Sequence, residues 1–269
     1  MTDATSTIQM HYAVNDLADR ILSALEAAGH DTSNLTVEML HLVDQLHGGG
    51  LNSTIAQADM VNIGKDTRVF DAGCGVGGSS RYLAQTFGCQ IKAIDLTPEY
   101  VETAVHFNKL CGLEDRISVS QGNVTDISED DQSFDLVWCQ NVTMNVEDKA
   151  RMFAEVYRVL APGGRYLFSH TARGPNGEPH YPLPWAMTPE YSYLETPETI
   201  VQSLEEAGFI NIETRTKVGR PGNAAIRSTS ELGQSVIMGE DMPERQANAV
   251  RSGKEGRLIG MFVIAERSV

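Results

Sequence analysis

The chain has 269 residues, enough for one large α/β domain or a domain with a substantial cap. Hydrophobic residues make up 41% and charged residues 21%, a balance that fills a core and excludes disorder of the whole chain. A formal net charge of −15 argues against general nucleic-acid binding and against docking on anionic membrane, since both need a basic surface.

The acidity serves solubility first, ahead of adaptation to salt or attraction of a cationic substrate. Cys74, Cys89, Cys111 and Cys139 form neither a C-x-x-C pair nor a cluster with histidine. They are expected to be reduced cysteines of a cytoplasmic protein, with no metal site. The first six residues are polar and show no signal peptide, and no apolar run is long enough to span a membrane.

In chain order, Asp16–Gly29 is amphipathic and ends on a glycine suited to a helix C-terminus. Thr36–Leu46 also has apolar residues at helical spacing, so residues 1–62 read as an N-terminal helical lid. Residues 63–269 then read as a Rossmann-like domain. Its strands are expected at Arg68–Ala72, Gln90–Asp95, Ile117–Gly122, Phe134–Cys139 and Arg165–His170. The helices between them are expected at Gly78–Phe87, Pro98–Leu110 and Val146–Leu160, the last stopped by Ala161-Pro-Gly-Gly164. This alternation predicts an α/β, doubly wound, mainly parallel sheet. Residues 171–195, rich in proline, glycine and aromatics, read as an insertion over the carboxyl edge. Thr196 caps a helix with Pro197 in its first position. Asn211–Lys217 and Leu258–Glu266 read as the last strands, and 218–257 between them as a second cap insertion.

Gly73, Gly75 and Gly78 match G-x-G-x-x-G between a strand and a helix, a tight turn whose backbone is free to approach a ligand. Asp95 ends the next strand, where an acid accepts hydrogen bonds from ribose hydroxyls, with Leu96 beside it. A bare glycine pattern also admits NAD. Asp71 shifts the balance, because its carboxylate repels a pyrophosphate and tolerates the sulfonium and amino group of S-adenosylmethionine. A turn-capping role is the plainer alternative for it. Asn123 and Val124 follow the third strand, where the adenine edge and face are expected; Asp126 reads as a turn residue. Gln140 and Asn141 follow the fourth strand beside the topological switch point, facing cofactor or acceptor.

These residues together resemble the class I S-adenosylmethionine-dependent methyltransferases over about residues 60–217. The motif order is Asp71-Ala-Gly-Cys-Gly75, Asp95, Gly122-Asn123, Phe134-Asp135 and Arg158-Val-Leu-Ala-Pro-Gly-Gly164. The resemblance implies a seven-stranded sheet whose last strand is antiparallel. Three segments are similar to the sarcosine/dimethylglycine N-methyltransferases: Asp44-Gln-Leu-His-Gly-Gly-Gly-Leu51, Val137-Trp-Cys-Gln140, and Gln246-Ala-Asn-Ala-Val250 with Glu255-Gly-Arg-Leu258. That narrower resemblance implies that the His47 segment covers the methionine end of the cofactor. The chain departs from it after the fourth strand, where Asn141-Val-Thr-Met-Asn145 replaces an acidic residue and a histidine. No clear arginine pair for a substrate carboxylate stands out, although Arg173, Arg220 and Arg227 are available.

Methyl transfer to an unprotonated amine needs alignment above all, whereas a hydroxyl or carbon acceptor needs a base. His170, at the end of the fifth strand, is read equally as that base or as a satisfied strand histidine. His47, His11 and Tyr12 in the lid are further candidates, Tyr12 reading rather as lid packing. Trp185, Tyr181, Tyr191 and Tyr193 form either a wall over the acceptor or the packing of the insertion. Trp138 and Phe168 read as core. The sequence thus points to methylation of a small soluble acceptor, nitrogen favoured, such as sarcosine or dimethylglycine. O- or C-methylation with His170 as base is the runner-up. A non-catalytic binding protein and an NAD-dependent dehydrogenase are the remaining alternatives. A homodimer through the lid or the acidic surface is compatible with the sequence.

Overall fold

Short apolar runs bounded by glycine, proline or polar turns become strands, and the amphipathic stretches between them become helices. The computed structural model describes Gln9, His11, Tyr12, residues 16–216 and residues 232–269. Its strands are β1 (Arg68–Ala72), β2 (Gln90–Asp95), β3 (Ile117–Gln121), β4 (Phe134–Gln140), β5 (Leu160–Arg173), β6 (Phe209–Thr216) and β7 (Leu258–Arg267). Its helices are α1 (Leu17–Ala27), α2 (Val37–Leu40), α3 (Gly50–Ala58), α4 (Gly78–Phe87), α5 (Pro98–Leu110), α6 (Lys149–Val159), α7 (Pro197–Glu206), α8 (Ser235–Met238) and α9 (Met242–Lys254). The strands form one seven-stranded sheet ordered β3-β2-β1-β4-β5-β7-β6. β1 with β2, β2 with β3, and β4 with β5 are parallel; β7 is antiparallel to both β5 and β6. The α/β class, the mainly parallel sheet and the antiparallel last strand are as expected. No helix among the described residues is long and apolar enough to cross a membrane.

The chain divides into two compact units. The first comprises, among the described residues, Tyr12, 16–121 and 232–242. In it α1 buries Leu17, Ile21 and Leu25 at a spacing of four, and Gly29 just past its end takes the left-handed conformation, φ +87°. This stripe packs with Leu40, Val43, Val76, Tyr100, Phe107 and Ile237. The second predicted helix is shorter than its periodicity suggests. Thr36 caps it through Met39 N–H (3.4 Å), but it ends at Leu40, and residues 41–46 turn so that Asp44 reaches a buried arginine.

The second unit comprises Gln9, His11, 122–216 and 243–269. Two boundaries differ from the sequence reading. α6 begins at Lys149, because the Asp148 carboxylate caps it by accepting from Arg151 N–H (2.9 Å). Ala161-Pro-Gly-Gly164 is a bulge within β5: Phe134 pairs with Leu160, and the next paired residues, Leu136 and Arg165, resume across the extra residues. β5 then runs to Arg173 because β7 supplies partners as far as Leu258. Beyond it, Leu183, Trp185, Ala186 and Leu194 of the insertion pack with Met144 and Leu258. Thr196 caps α7 as expected, accepting from Thr199 N–H (3.3 Å). Of the 218–257 insertion, residues 232–257 carry α8 and α9, while Arg220, Arg227 and Lys217 lie outside the described residues.

Candidate cofactor cradle and acceptor residues

The glycine loop between β1 and α4 is built from three left-handed glycines, Gly73 (φ +84°), Gly75 (+56°) and Gly77 (+84°). The N–H groups of Gly73 and Cys74 both donate to Ile94 O (2.9 Å each), and Gly75 N–H donates to Asp95 Oδ2 (2.8 Å). The loop is thereby tied to the end of β2. Gly78 needs no unusual backbone. A Cβ there would lie 2.5 Å from Asp44 O and 2.7 Å from Gln45 Nε2, so the third glycine of the motif is required by the closeness of the 44–45 segment. Gly77, outside the motif, carries the φ constraint.

Asp71 is buried and accepts a hydrogen bond from Ser80 Oγ (2.6 Å). Burial, reinforced by the nearby Asp95 charge, pushes its carboxyl up to about 7, with the Ser80 bond opposing the rise. Asp95 accepts from Thr97 N–H (2.9 Å) as well as from Gly75; desolvation still raises it above the ordinary range. Cys74 lies buried in the same loop, its thiol pushed upward by burial and by both carboxylates. The loop therefore presents suppressed negative charge. Leu96, next to Asp95, accepts from Gln121 Nε2 through its carbonyl (3.2 Å).

Over this loop lies a buried polar network. The fully buried Arg81 guanidinium donates from Nη2 to Val76 O (2.7 Å) and Asp44 Oδ2 (2.9 Å), and from Nη1 to Asn108 Oδ1 (3.1 Å). Burial alone would raise the Asp44 carboxyl; His41 and Arg81 more than offset that and hold it below its usual range. Gln45 Nε2 donates to Asp44 Oδ1 (2.9 Å), and Thr54 Oγ1 donates to Gln45 Oε1 (2.7 Å). With its one hydroxyl proton so directed, Thr54 accepts from His47 Nε2 (3.1 Å), which places the His47 proton on Nε2. Gln234 Nε2 donates to the carbonyls of Gln45 (3.2 Å) and His47 (3.1 Å). In the same unit Tyr12 packs edge-on against Tyr100, ring centroids 5.9 Å apart.

In the second unit, Asn123 closes a turn: its Oδ1 accepts from Thr125 N–H (3.0 Å) and Oγ1 (2.9 Å), and its carbonyl accepts from Asp126 N–H (3.0 Å). Val124 is buried beside it. Gln140 ends β4 half-buried, and Asn141 follows in a left-handed conformation, φ +54°, its Oδ1 accepting from Ser169 Oγ (3.0 Å). His170 is fully buried, and its Nδ1 is held in a close hydrogen bond by Thr143 Oγ1. It continues the row of Tyr166 and Phe168 along β5, which Phe153 of α6 covers. Trp138 and Phe168 are fully buried core, as expected.

Trp185 is 7% exposed and donates from Nε1 to Ser192 Oγ (2.9 Å), within the apolar cluster of the insertion. The backbone of Tyr193 is clamped: its N–H donates to Met144 O (2.9 Å) and its carbonyl accepts from Lys149 Nζ (2.5 Å). Tyr191 is 40% exposed and lies outside the cluster, whereas Tyr181 packs on it. His11 Nε2 approaches Pro184 O at 3.4 Å. Arg173 is an exposed residue whose backbone N–H donates to Glu195 O (2.8 Å). Sequence reasoning missed Arg81, Ser80, Thr54, Thr143 and Lys149. Nothing in their spacing marks them: Arg81, Thr143 and Lys149 each bond a partner at least 27 residues away, and Ser80 and Thr54 bond across a turn.

Residues 70–168 match the family model described as a methyltransferase domain. The glycine/sarcosine/dimethylglycine N-methyltransferase of Actinopolyspora halophila is 32% identical over 156 residues, which are 58% of this chain and 28% of that protein. The sarcosine/dimethylglycine N-methyltransferase of Halorhodospira halochloris is 33% identical over 150 residues, 56% of this chain and 54% of that protein. The chain thus spans about half or less of the length of these relatives. The geranyl diphosphate C-methyltransferase of Streptomyces coelicolor A3(2), solved with Mg2+, geranyl-S-thiolodiphosphate and S-adenosyl-L-homocysteine, has the same fold. Its TM-score is 0.69 at 18% identity, covering 99% of this chain and 98% of that one. Residues 70–168 thus resemble a methyltransferase domain in sequence, and nearly the whole chain shares the fold of the Streptomyces coelicolor enzyme.

Proposed function

We propose that the chain is an S-adenosylmethionine-dependent methyltransferase acting on a small soluble acceptor, with the nitrogen of a small amine or amino acid such as sarcosine or dimethylglycine favoured. The observation that carries this reading is the buried Asp71 carboxyl, which has Ser80 Oγ as a hydrogen-bond donor at the foot of the glycine loop that Asp95 also ties down; burial and the Asp95 charge raise it. A pyrophosphate would add negative charge to this pair, and the neighbouring Arg81 directs its Nη groups to Val76, Asp44 and Asn108. A cationic cofactor instead relieves the charge that Asp71 cannot hold alone. The similarity to sarcosine and dimethylglycine N-methyltransferases supports the choice of acceptor.

In this reading Gly73 and Gly75 let backbone approach the cofactor, Asp71 meets its positive end, and Asp95 takes the ribose hydroxyls with Leu96 alongside. Asn123 and Val124 are assigned to the adenine edge and face, and Gln140 with Asn141 to cofactor and acceptor. Trp185, Tyr193 and His11 are assigned to the acceptor side. Bound there, the cofactor supplies a methyl group already activated by its positive sulfur, so alignment accounts for much of the rate. An amine arriving unprotonated needs no base, and His47, His170 and Tyr12 then orient or enclose. Calorimetry of the intact chain tests the first half: binding of S-adenosylmethionine and none of NADH is expected, and the reverse overturns the reading. A screen of amines, amino acids and phenols, following S-adenosylhomocysteine, tests the second, with turnover of sarcosine or dimethylglycine expected.

One observation favours the alternative of an O- or C-acceptor. The Thr143 bond fixes the His170 ring, as a general base requires. His170→Ala is expected to leave N-methylation nearly intact. A hundredfold or greater loss of kcat, the scale of about 10²–10⁴ for a general base, would favour the alternative.

A further inference from the structure

We infer that Arg81 and Asp44 are positioning residues for the cofactor: their buried ion pair locks the Asp44–Gly49 segment onto the glycine loop, so that a ligand in the loop is enclosed only while the pair is intact. The inference rests on the cofactor reading above and adds to it the device that closes the site.

Four observations within the first unit carry it. The same Arg81 Nη2 serves both parts at once, donating to Val76 O inside the loop (2.7 Å) and to Asp44 Oδ2 of the segment (2.9 Å). Both side chains are wholly excluded from solvent, so no water substitutes for either partner when one is lost. The two segments touch closely. Asp44 O and Gln45 Nε2 occupy the space beside Gly78, and Leu46 Cδ1 lies 3.3 Å from where a Gly75 Cβ would stand. Finally, the pair continues as a chain of bonds through Gln45 and Thr54 to His47, so the orientation of His47 depends on the charge pair three hydrogen bonds away. An isolated structural ion pair needs none of the last three features. Arg81 also lies over the Phe107 ring at 5.8 Å and bonds Asn108, which anchors its planar fork from behind.

The test uses the full chain and S-adenosylhomocysteine as probe, by calorimetry and by hydrogen exchange. For the wild type, binding is expected to slow exchange at the amides of residues 45–50. Asp44→Asn keeps the shape and removes the charge; it is expected to bind at least tenfold more weakly and to show no such slowing. Leu204→Ala, a core change in α7 of the other unit, serves as the control: it lowers the unfolding midpoint and leaves affinity unchanged. Should Asp44→Asn fail to fold, Asp44→Glu and Arg81→Lys, which keep the charges and displace them, are expected to weaken binding in the same direction. Wild-type affinity in folded Asp44 variants overturns the inference while the cofactor reading stands. Absence of binding by the wild type overturns both.

Discussion

The two units hold their site segments by different physics. In the first, residues 44–50 are fixed by charge and hydrogen bonds running from Arg81 through Asp44, Gln45 and Thr54 to His47. In the second, the 181–195 insertion is fixed by apolar packing of Leu183, Trp185, Ala186 and Leu194, with backbone clamps at Tyr193. A buried polar network tolerates one geometry, because each unmet donor or acceptor costs its full desolvation. An apolar cluster tolerates substitutions that keep volume. A cradle for one fixed cofactor suits the first kind of construction. A surface that adapts to an acceptor suits the second.

The sharpest way to break this comparison is at Gly78. Gly78→Ala drives a Cβ to 2.5 Å from the Asp44 carbonyl, and backbone cannot yield cheaply there. A loss of about 4 kcal/mol in chemical denaturation is expected, at the severe end for one methyl group. Cofactor binding should vanish with it. Near wild-type stability would mean that the 44–50 segment rests loosely on the loop.

Trp185→Ala probes the other construction. Truncating this nearly buried indole leaves a cavity and an unanswered Ser192 hydroxyl, for a loss of about 3 kcal/mol. Calorimetry should show the affinity for S-adenosylhomocysteine unchanged. Trp185→Phe should recover most of the loss, as a change that keeps most of the ring volume does in apolar packing. If Phe fares no better than Ala, the Nε1 bond to Ser192 governs the insertion, and the contrast between the units weakens.

How much of this the sequence reveals follows from the same difference. Strands β1, β2 and β4, helices α4 and α5, and the glycine loop depend on local spacing, and their residues read directly. Helix α2 does not, because its periodic continuation to Leu46 is overridden by the pull of Arg81 on Asp44. Arg81 itself reads as an ordinary polar position of an amphipathic helix; only the tertiary fold shows it buried. Gly78 reads correctly as required, but for a different reason, since its neighbour is the 44–45 backbone. His170 stayed ambiguous because its partner Thr143 lies 27 residues away, in a one-turn helix with no cap signal.

A third test turns on pH. Asp71 titrates at about 7 in the free protein, and a bound cation lowers that value by favouring the carboxylate. Affinity for S-adenosylmethionine should therefore rise with pH by up to about tenfold per unit, or about 1.4 kcal/mol, and level off above pH 7. The sign for folding is opposite: a raised carboxyl favours the folded state at low pH, and that contribution is lost as pH rises from about 4 through 7. Calorimetry from pH 5.5 to 8 measures the first, and Asp71→Asn should flatten it. A flat wild-type profile would place the cationic end of the cofactor away from Asp71.

The smallest expected effect comes from Lys149, a buried charge of the second unit held by backbone carbonyls. Its Nζ donates to Val146 O (2.8 Å) and Tyr193 O (2.5 Å), while desolvation lowers its pKa and the Glu195 charge partly restores it. Lys149→Met keeps the stem and sets two terms against each other. Two carbonyls lose a charged donor, at about 1–3 kcal/mol, and the chain no longer has to hold a largely buried ammonium. The nearby Glu195 remains, and its charge loses a compensating neighbour, so the loss should win by about 1 kcal/mol, or a fall of roughly 2–4 °C in Tm. A rise in Tm would mean that desolvation dominates and that Lys149 is retained to hold Tyr193, in which case the KM for the acceptor should climb even as stability improves.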